Sequence, residues 1–240
     1  MKNKIKSVAA ALLGLAVSAF PALAGVTLAS PFTSHMVLQR EMKVPVWGVA
    51  DPGEQIMVSF AGQEKSATAG ADGGWRIDLD PLTASAEGRA LVVRGSHSND
   101  PVRLDDVFVG EVWLASGQSN MEFTVSKKVK YFAGVANEEQ EIAAANYPLI
   151  RMFTGAMTTA YEPQGRVAGQ WLVCSPETVP AFSAIAYLYA RDLQKEIQVP
   201  IGILSLSYGA STAEAWNRRE AMDSDPQLKP MLDRFDSDVK

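Results

Sequence analysis

The sequence predicts an α/β lobe preceded by a small all-β region. Two rhythms carry that expectation. Up to about Leu104 the apolar residues come in short runs separated by turn signals, with no amphipathic helix among them. From Val107 onward, longer apolar runs alternate with stretches of helical spacing. Short strands with closely spaced turns suggest a β-sandwich. Apolar strands alternating with helices argue for a parallel sheet covered on both faces.

A segment of a third kind comes first. Lys2, Lys4 and Lys6 lead it, no acid occurs among residues 1–24, and an apolar run follows from Val8 to Phe20. Pro21-Ala22-Leu23-Ala24 then supplies small residues ahead of Gly25. This is the pattern of a secretory signal peptide, residues 1–24, cleaved between Ala24 and Gly25. The run is short for a membrane span, which takes about 20 apolar residues. The expectation is a secreted chain, in a bacterial periplasm, with no membrane attachment after cleavage.

Residues 25–105 carry the sandwich pattern. Val44-Pro45-Val46-Trp47-Gly48 is a short strand, and Asp51-Pro52-Gly53 a turn. Residues 55–60 form a second strand, and Asp72-Gly73-Gly74 is a hairpin signal. Trp75-Arg76-Ile77-Asp78-Leu79 alternates apolar and polar, so one face is buried. Residues 90–94 are another strand.

Residues 106–240 carry the lobe. The run 107–116 is a buried strand that ends at Gly117. Residues 148–153 read as the next strand. Pro180 suits a helix first turn, and Phe182, Ile185, Tyr189 and Leu193 recur at helical spacing as a core stripe, until Pro200 stops the helix. Residues 201–207 form a further buried strand, ending in the turn Tyr208-Gly209-Ala210-Ser211, with a helix expected over 212–221. Three strands are few for a doubly wound sheet, and 228–239 is polar without a stop signal. The expectation is the N-terminal part of a truncated, incomplete lobe.

Composition narrows the function. Hydrophobic residues are 47% and charged residues 20%, enough for a real core. The formal charge of −5 becomes −8 without Lys2, Lys4 and Lys6, which argues against nucleic acid and anionic lipid as partners. The single cysteine, Cys174, permits no intrachain disulfide and sits among apolar neighbours as a buried residue. No zinc-type Cys/His spacing occurs, so no metal is expected.

The two turns at strand ends are the candidates for chemistry, because ligands of open α/β sheets sit beyond the carboxyl ends of the strands. Ser119, in Gly117-Gln118-Ser119-Asn120-Met121, offers a hydroxyl at a strand-to-helix turn, and its own N–H can donate to an oxyanion. Gly209 lacks a side chain, so its N–H can approach a bound carbonyl. Spacing alone leaves two readings of Ser119 open: a nucleophile, or a plain helix cap.

The segment 109–122, with Gly117-Gln118-Ser119-Asn120-Met121-Glu122 at its end, resembles the nucleophile block of the sialate O-acetylesterase family, in the SGNH hydrolase superfamily. The segment 199–216, through Tyr208-Gly209-Ala210-Ser211 to Glu214-Ala215-Trp216, resembles that family's second block. Residues 32–39 and 47–53 resemble its β-sandwich. The resemblance implies an SGNH-like, flavodoxin-like three-layer α/β/α lobe behind a sandwich. It also implies hydrolysis of acetyl esters on a sugar or glycan, with no cofactor and no metal. Ser119 would be the nucleophile, and the N–H groups of Ser119 and Gly209 the oxyanion donors. Tyr208 departs from a family pattern of two glycines and is expected to narrow the pocket while leaving the Gly209 N–H available.

The family takes its general base from an Asp-x-x-His block near the C-terminus, and none follows Gly209 here. The histidines are His35 and His97, both in the sandwich region, and both read as structural or turn residues. Glu111, Glu122 and Glu214 flank the two blocks and read as caps or surface charges. Without an imidazole, Ser119 has no good base near neutral pH. The expectation is therefore an esterase inactive on its own. Two alternatives stand beside it: an acetylxylan-type esterase, and a non-catalytic carbohydrate-binding protein stacking sugars on Trp75 or Trp216, although burial in the core is the simpler fate of both tryptophans.

Overall fold

The computed structural model describes residues 25–98, 100–130, 134–161 and 164–239. The expected leader and its cleavage point lie outside the described residues.

The first part of the chain is all strand: β1 (Thr27–Leu28), β2 (Val37–Gln39), β3 (Val44–Val49), β4 (Gln55–Phe60), β5 (Gln63–Thr68), β6 (Gly74–Leu79) and β7 (Ser85–Gly95). β3, β4 and β6 bury every second residue, as their period-2 patterns require. β5 is almost wholly polar and gives no such signal. It forms by antiparallel pairing with β4 across a tight turn, where Ala61 and Gly62 take φ of 48° and 80°. β1, β3 and β6 make a three-stranded antiparallel sheet. Its Val44, Val46, Ile77 and Leu79 share one core with Ile56, Val58, Leu91 and Val93 of β4 and β7.

β8 (Val102–Gly117) is the spine of the molecule. Beyond it come β9 (Tyr147–Thr154), β10 (Trp171–Cys174) and β11 (Ile201–Ser207). An eight-stranded sheet runs β10-β9-β11-β8-β7-β4-β5, with β2 also paired to β8. The start of β8 pairs antiparallel with β7; Glu111–Gly117 pair parallel with β11, and β11 pairs parallel with β9. The expected boundary at 105–106 falls inside this strand, at Asp106, whose φ is 56°. The short edge strand β10, antiparallel to β9, lies beyond what the sequence pattern suggested. The fold is mixed α/β around one large sheet.

The helices are few: α1 (Ser119–Glu122), α2 (Lys127–Lys130), α3 (Glu138–Ala144), α4 (Ala184–Ile197), α5 (Arg219–Asp223) and α6 (Lys229–Asp238). Ser183 caps α4, its hydroxyl accepting the Ala186 N–H. α4 ends at Gln198, in left-handed conformation, ahead of Pro200. It buries Ala186, Tyr187 and Ala190 against Ile150, Met152, Ile201 and Ile203. The expected stripe is therefore corrected. Phe182 is buried but lies in the turn before the cap, which shifts the helical phase. Ile185 and Tyr189 face outward, Tyr189 edge-on to Trp113 at 5.2 Å.

The helix expected over 212–221 is broken in two. A 3₁₀ turn covers Ala213–Trp216, and α5 starts only at Arg219. Asn217 explains the break, since its side-chain amide donates to the Ala213 carbonyl at 2.8 Å and competes with a helical ladder. The polar stretch 228–239 forms α6. It starts with Pro230 in its first turn, buries Leu232, and is tied to α5 by Arg219 and Asp236 at 2.8 Å. Among the described residues, no helix is long and apolar enough to cross a membrane.

Candidate active site

The parallel pairing of β8 and β11 creates the site. Its register sets Gly117 opposite Ser207, so the turns that follow the two strands emerge side by side. The Tyr208 N–H donates to the Gly117 carbonyl at 2.9 Å and fastens one turn to the other. Gly117 has φ of 148°, a conformation that favours glycine and swings the chain out of the strand. Ser119 then opens α1. That helix is a single turn, so it lends the site little helix dipole.

Ser119 is half-buried. Its hydroxyl donates to Gln118 Oε1 at 3.0 Å, and its N–H leans on the same oxygen at 3.3 Å. From the other turn, the Ala210 N–H reaches Ser119 Oγ at 3.4 Å. Ala210 holds φ of 61°, which turns that N–H inward.

Gly209 corrects an expectation. Its N–H is not free, because it donates to Glu122 Oε2. Glu122 in turn is no surface charge. It is 8% exposed, and its Oε1 accepts from Lys130 Nζ at 2.7 Å. A Cβ on Gly209 would collide with Glu122 Oε2 and lie 3.6 Å from Ser119 Oγ. Glycine is therefore what lets the two turns close up. Gln118, Glu122, Lys130 and Ala210 are the residues that sequence reasoning missed. One signal was available for Glu122: three residues after Ser119, it shares a helical face with it.

The other flanking acids are accounted for. Glu111 pairs with Arg40 at 2.6 Å. Glu214 is held below the usual carboxylate range by its own backbone N–H and by the Thr212 hydroxyl. Trp75 is buried in the sheet core, but Trp216, expected to be buried, is 43% exposed.

Neither histidine approaches Ser119. His35 Nδ1 meets Asp106 Oδ2 at 2.7 Å, near the opposite end of β8. From Asp106 to Gly117 an extended strand covers about 35 Å. Arg151, its side chain 4% exposed, joins Asp106 at 2.6 Å and lies over the Phe108 ring. Burial pushes the Asp106 carboxyl up, but the hydrogen bonds from Arg151 and His35 outweigh it and hold the group below its ordinary value. His97 is further still, beyond the end of β7. Its ring faces Asp51 at 3.7 Å and its N–H donates to Glu54 at 3.0 Å. Asp51, Glu54 and His97 each place one potential metal-ligating atom within 4.8 Å of the others. Both oxygens of the fully buried Glu54 already accept backbone N–H groups, of His97 and Asp51, so this cluster ties two turns together. Cys174 is buried, and burial pushes its thiol up to about 12.

Fold and site define a mixed α/β protein whose central parallel strands end in a serine turn and a glycine turn in hydrogen-bond contact. The comparisons with known proteins point to esterases of acetylated sugars. The chain is 30% identical over 242 residues to sialate O-acetylesterase of Rattus norvegicus, covering 89% of this chain and 43% of that protein. For the Mus musculus protein of the same name the identity is 28%, covering 89% of this chain and 44% of the relative. For the Homo sapiens protein it is 30%, covering 80% and 39%. A solved structure, a carbohydrate acetylesterase from Xanthomonas citri, superposes with a TM-score of 0.76 at 33% identity, over 83% of this chain and 44% of that one. No family model matches. The resemblance carried by the two sequence blocks is borne out at about 30% identity over most of the chain. The chain spans less than half the length of the curated relatives it matches.

Proposed function

We propose that this chain carries the nucleophile side of a carbohydrate acetylesterase site, with Ser119 attacking O-acetyl esters on a sugar. One observation carries the reading: the Ala210 N–H meets Ser119 Oγ at 3.4 Å, where two parallel strands end together. The likeness to acetylesterases supports it.

In this reading Ser119 Oγ adds to the acetyl carbonyl, and negative charge develops on the carbonyl oxygen. Backbone N–H groups of the two turns stabilise that charge. The sugar oxygen leaves with a proton, and water releases acetate from the acetylated serine. The Ser119 and Gly209 N–H groups are held by Gln118 and Glu122 in the ligand-free protein. They serve the oxyanion only once it displaces those acceptors. The Ser119 hydroxyl proton points to a carboxamide, which is no base. Neither His35 nor His97 approaches Ser119, so turnover by these 240 residues is expected to be negligible without an added base. The three-layer SGNH reading of the lobe draws support from α4 on one face of the sheet. The sandwich reading draws support from the core shared by β3, β6, β4 and β7. Export to a periplasm rests on the 1–24 pattern.

Added imidazole tests the mechanism. General bases contribute about 10²–10⁴-fold. Hydrolysis of 4-nitrophenyl acetate by the chain is expected to rise with imidazole concentration, above the Ser119→Ala background. Equal rates for the wild-type and Ser119→Ala chains at every imidazole concentration would remove Ser119 from the chemistry. The exposure of Trp216 favours a second reading, a non-catalytic sugar binder, and that outcome would favour it further.

A further inference from the structure

One buried acid lies between the two turns, and the acyl-transfer steps make no use of it. Glu122 is 8% exposed, and a carboxylate at that depth is held by its partners, not by water. Its Oε1 accepts from Lys130 Nζ at 2.7 Å, and its Oε2 accepts from the Gly209 N–H. The Lys130 side chain is 32% exposed, so the ion pair runs from the buried site toward the surface.

The base from which Glu122 reaches is fixed. α1 is a single turn, too short to hold itself. The start of α4 holds it instead. Ser183 Oγ donates to the Met121 carbonyl at 2.6 Å, and the Ala184 N–H donates to the Phe123 carbonyl at 2.7 Å. Ser119 and Glu122 stand three residues apart on this one turn, so nucleophile and carboxylate share a mounting.

The opposite turn is tied at several points. The Tyr208 N–H donates to the Gly117 carbonyl at 2.9 Å, and Ser211 Oγ donates to the Tyr208 carbonyl at 2.6 Å. Between them the Gly209 N–H meets Glu122, and the Ala210 N–H meets Ser119 Oγ at 3.4 Å. Ala210 has φ of 61°, which a non-glycine residue keeps only where its neighbours impose it. The bond to Glu122 lies one residue earlier. It is the charge-assisted tie of this turn, and such bonds are about twice as strong as neutral ones.

The two N–H groups differ in what an oxyanion requires of them. Use of the Gly209 N–H requires Glu122 to leave, which sets a buried carboxylate loose beside a second negative oxygen. The Ala210 N–H rests on the serine oxygen itself. It can turn to the carbonyl oxygen as Oγ bonds to the acetyl carbon, with no carboxylate to displace.

We propose that Glu122 is the positioning residue of the site. Paired with Lys130, it pins the Gly209 N–H so that the Ala210 N–H is aimed at the oxyanion. Lys130 cancels the charge that Glu122 would otherwise set against that oxyanion. The proposal rests on the reading of Ser119 as the nucleophile.

The rate at which a fluorophosphonate labels Ser119 in the presence of imidazole tests it, because phosphonylation also develops negative charge on an oxygen beside the serine. The limiting rate and the half-saturating reagent concentration are read separately, in chains of unchanged circular dichroism. Glu122→Ala is expected to lower the limiting rate about tenfold or more, and to move the half-saturating concentration by less than about threefold. Lys130→Met leaves the carboxylate uncompensated and is expected to lower the limiting rate as well. Glu122→Gln is then compared in two backgrounds. Beside Lys130 the amide has one acceptor oxygen for two donors, so the substitution slows labelling. In the Lys130→Met chain that oxygen is free for the Gly209 N–H and the charge is gone, so the same substitution speeds labelling. An effect of Glu122→Gln of one sign in both backgrounds would overturn the proposal, and that comparison stands alone if the Glu122→Ala chain does not fold. A change confined to the half-saturating concentration would overturn it too. Labelling of Ser119 that none of these substitutions moves leaves the nucleophile and removes the positioning role, whereas no labelling of wild-type Ser119 removes the nucleophile itself.

Discussion

Gly209→Ala probes the contact that closes the site. The new Cβ collides with Glu122 Oε2, while at 3.6 Å it makes only ordinary contact with Ser119 Oγ. The carboxylate is the group that must move. It is buried and anchored by Lys130, so its displacement breaks the Gly209 N–H hydrogen bond and strains the ion pair. A hydrogen bond to a charged group is worth about 1.5–3 kcal/mol. Overpacking adds about 1–3 kcal/mol, less where a side-chain end can swing aside. The expected destabilisation is about 2–4 kcal/mol, read as the shift in urea-unfolding free energy. In a chain of this size each kcal/mol moves Tm by about 2–4 °C. Gly165→Ala is the control, since a Cβ there meets nothing within 4 Å. Equal stability of the two variants would show that Glu122 does not hold the glycine turn.

Two further outcomes follow from the same structure. Asp106→Asn keeps a residue that tolerates the φ of 56° at this position, so it isolates the charge from the backbone. The Asp106 carboxyl is held below its ordinary 3.8, so its contribution is complete above that value and fades as pH falls through the lowered one. Asp106→Asn is expected to cost about 1–2 kcal/mol at pH 7, discounted for partial exposure, and the gap from wild type should narrow below pH 4. A gap of constant size down to acid unfolding would contradict the pairing. Cys174, with its thiol pushed up to about 12 by burial, should react with a disulfide reagent roughly a thousandfold more slowly in the native chain than in urea. Comparable rates would place it at the surface.

Legibility followed burial on one face. Residues 44–48, 55–60, 75–79 and 201–207 announce themselves because each strand packs apolar residues into a core. β5 does not, because only its pairing with β4 makes it a strand. α6 does not, because it buries one residue, Leu232. Ser119 and Gly209 were legible as residues at the ends of apolar runs. The Glu122–Lys130 bridge was not, because it joins two short helices whose approach no local pattern encodes. The same limit applies to Trp216. Burial in the core was the simpler expectation for it, whereas Asn217 breaks the helix and Ser211 holds the indole, which stays 43% exposed.

Ser119 itself offers the most direct measurement. The chain is incubated with a fluorophosphonate in the presence of imidazole, and the modified residue is located by peptide mass spectrometry. Covalent label on Ser119, absent from the Ser119→Ala chain, is the predicted result. Label distributed over other hydroxyl residues, or of the same extent in the Ser119→Ala chain, would contradict the nucleophile assignment.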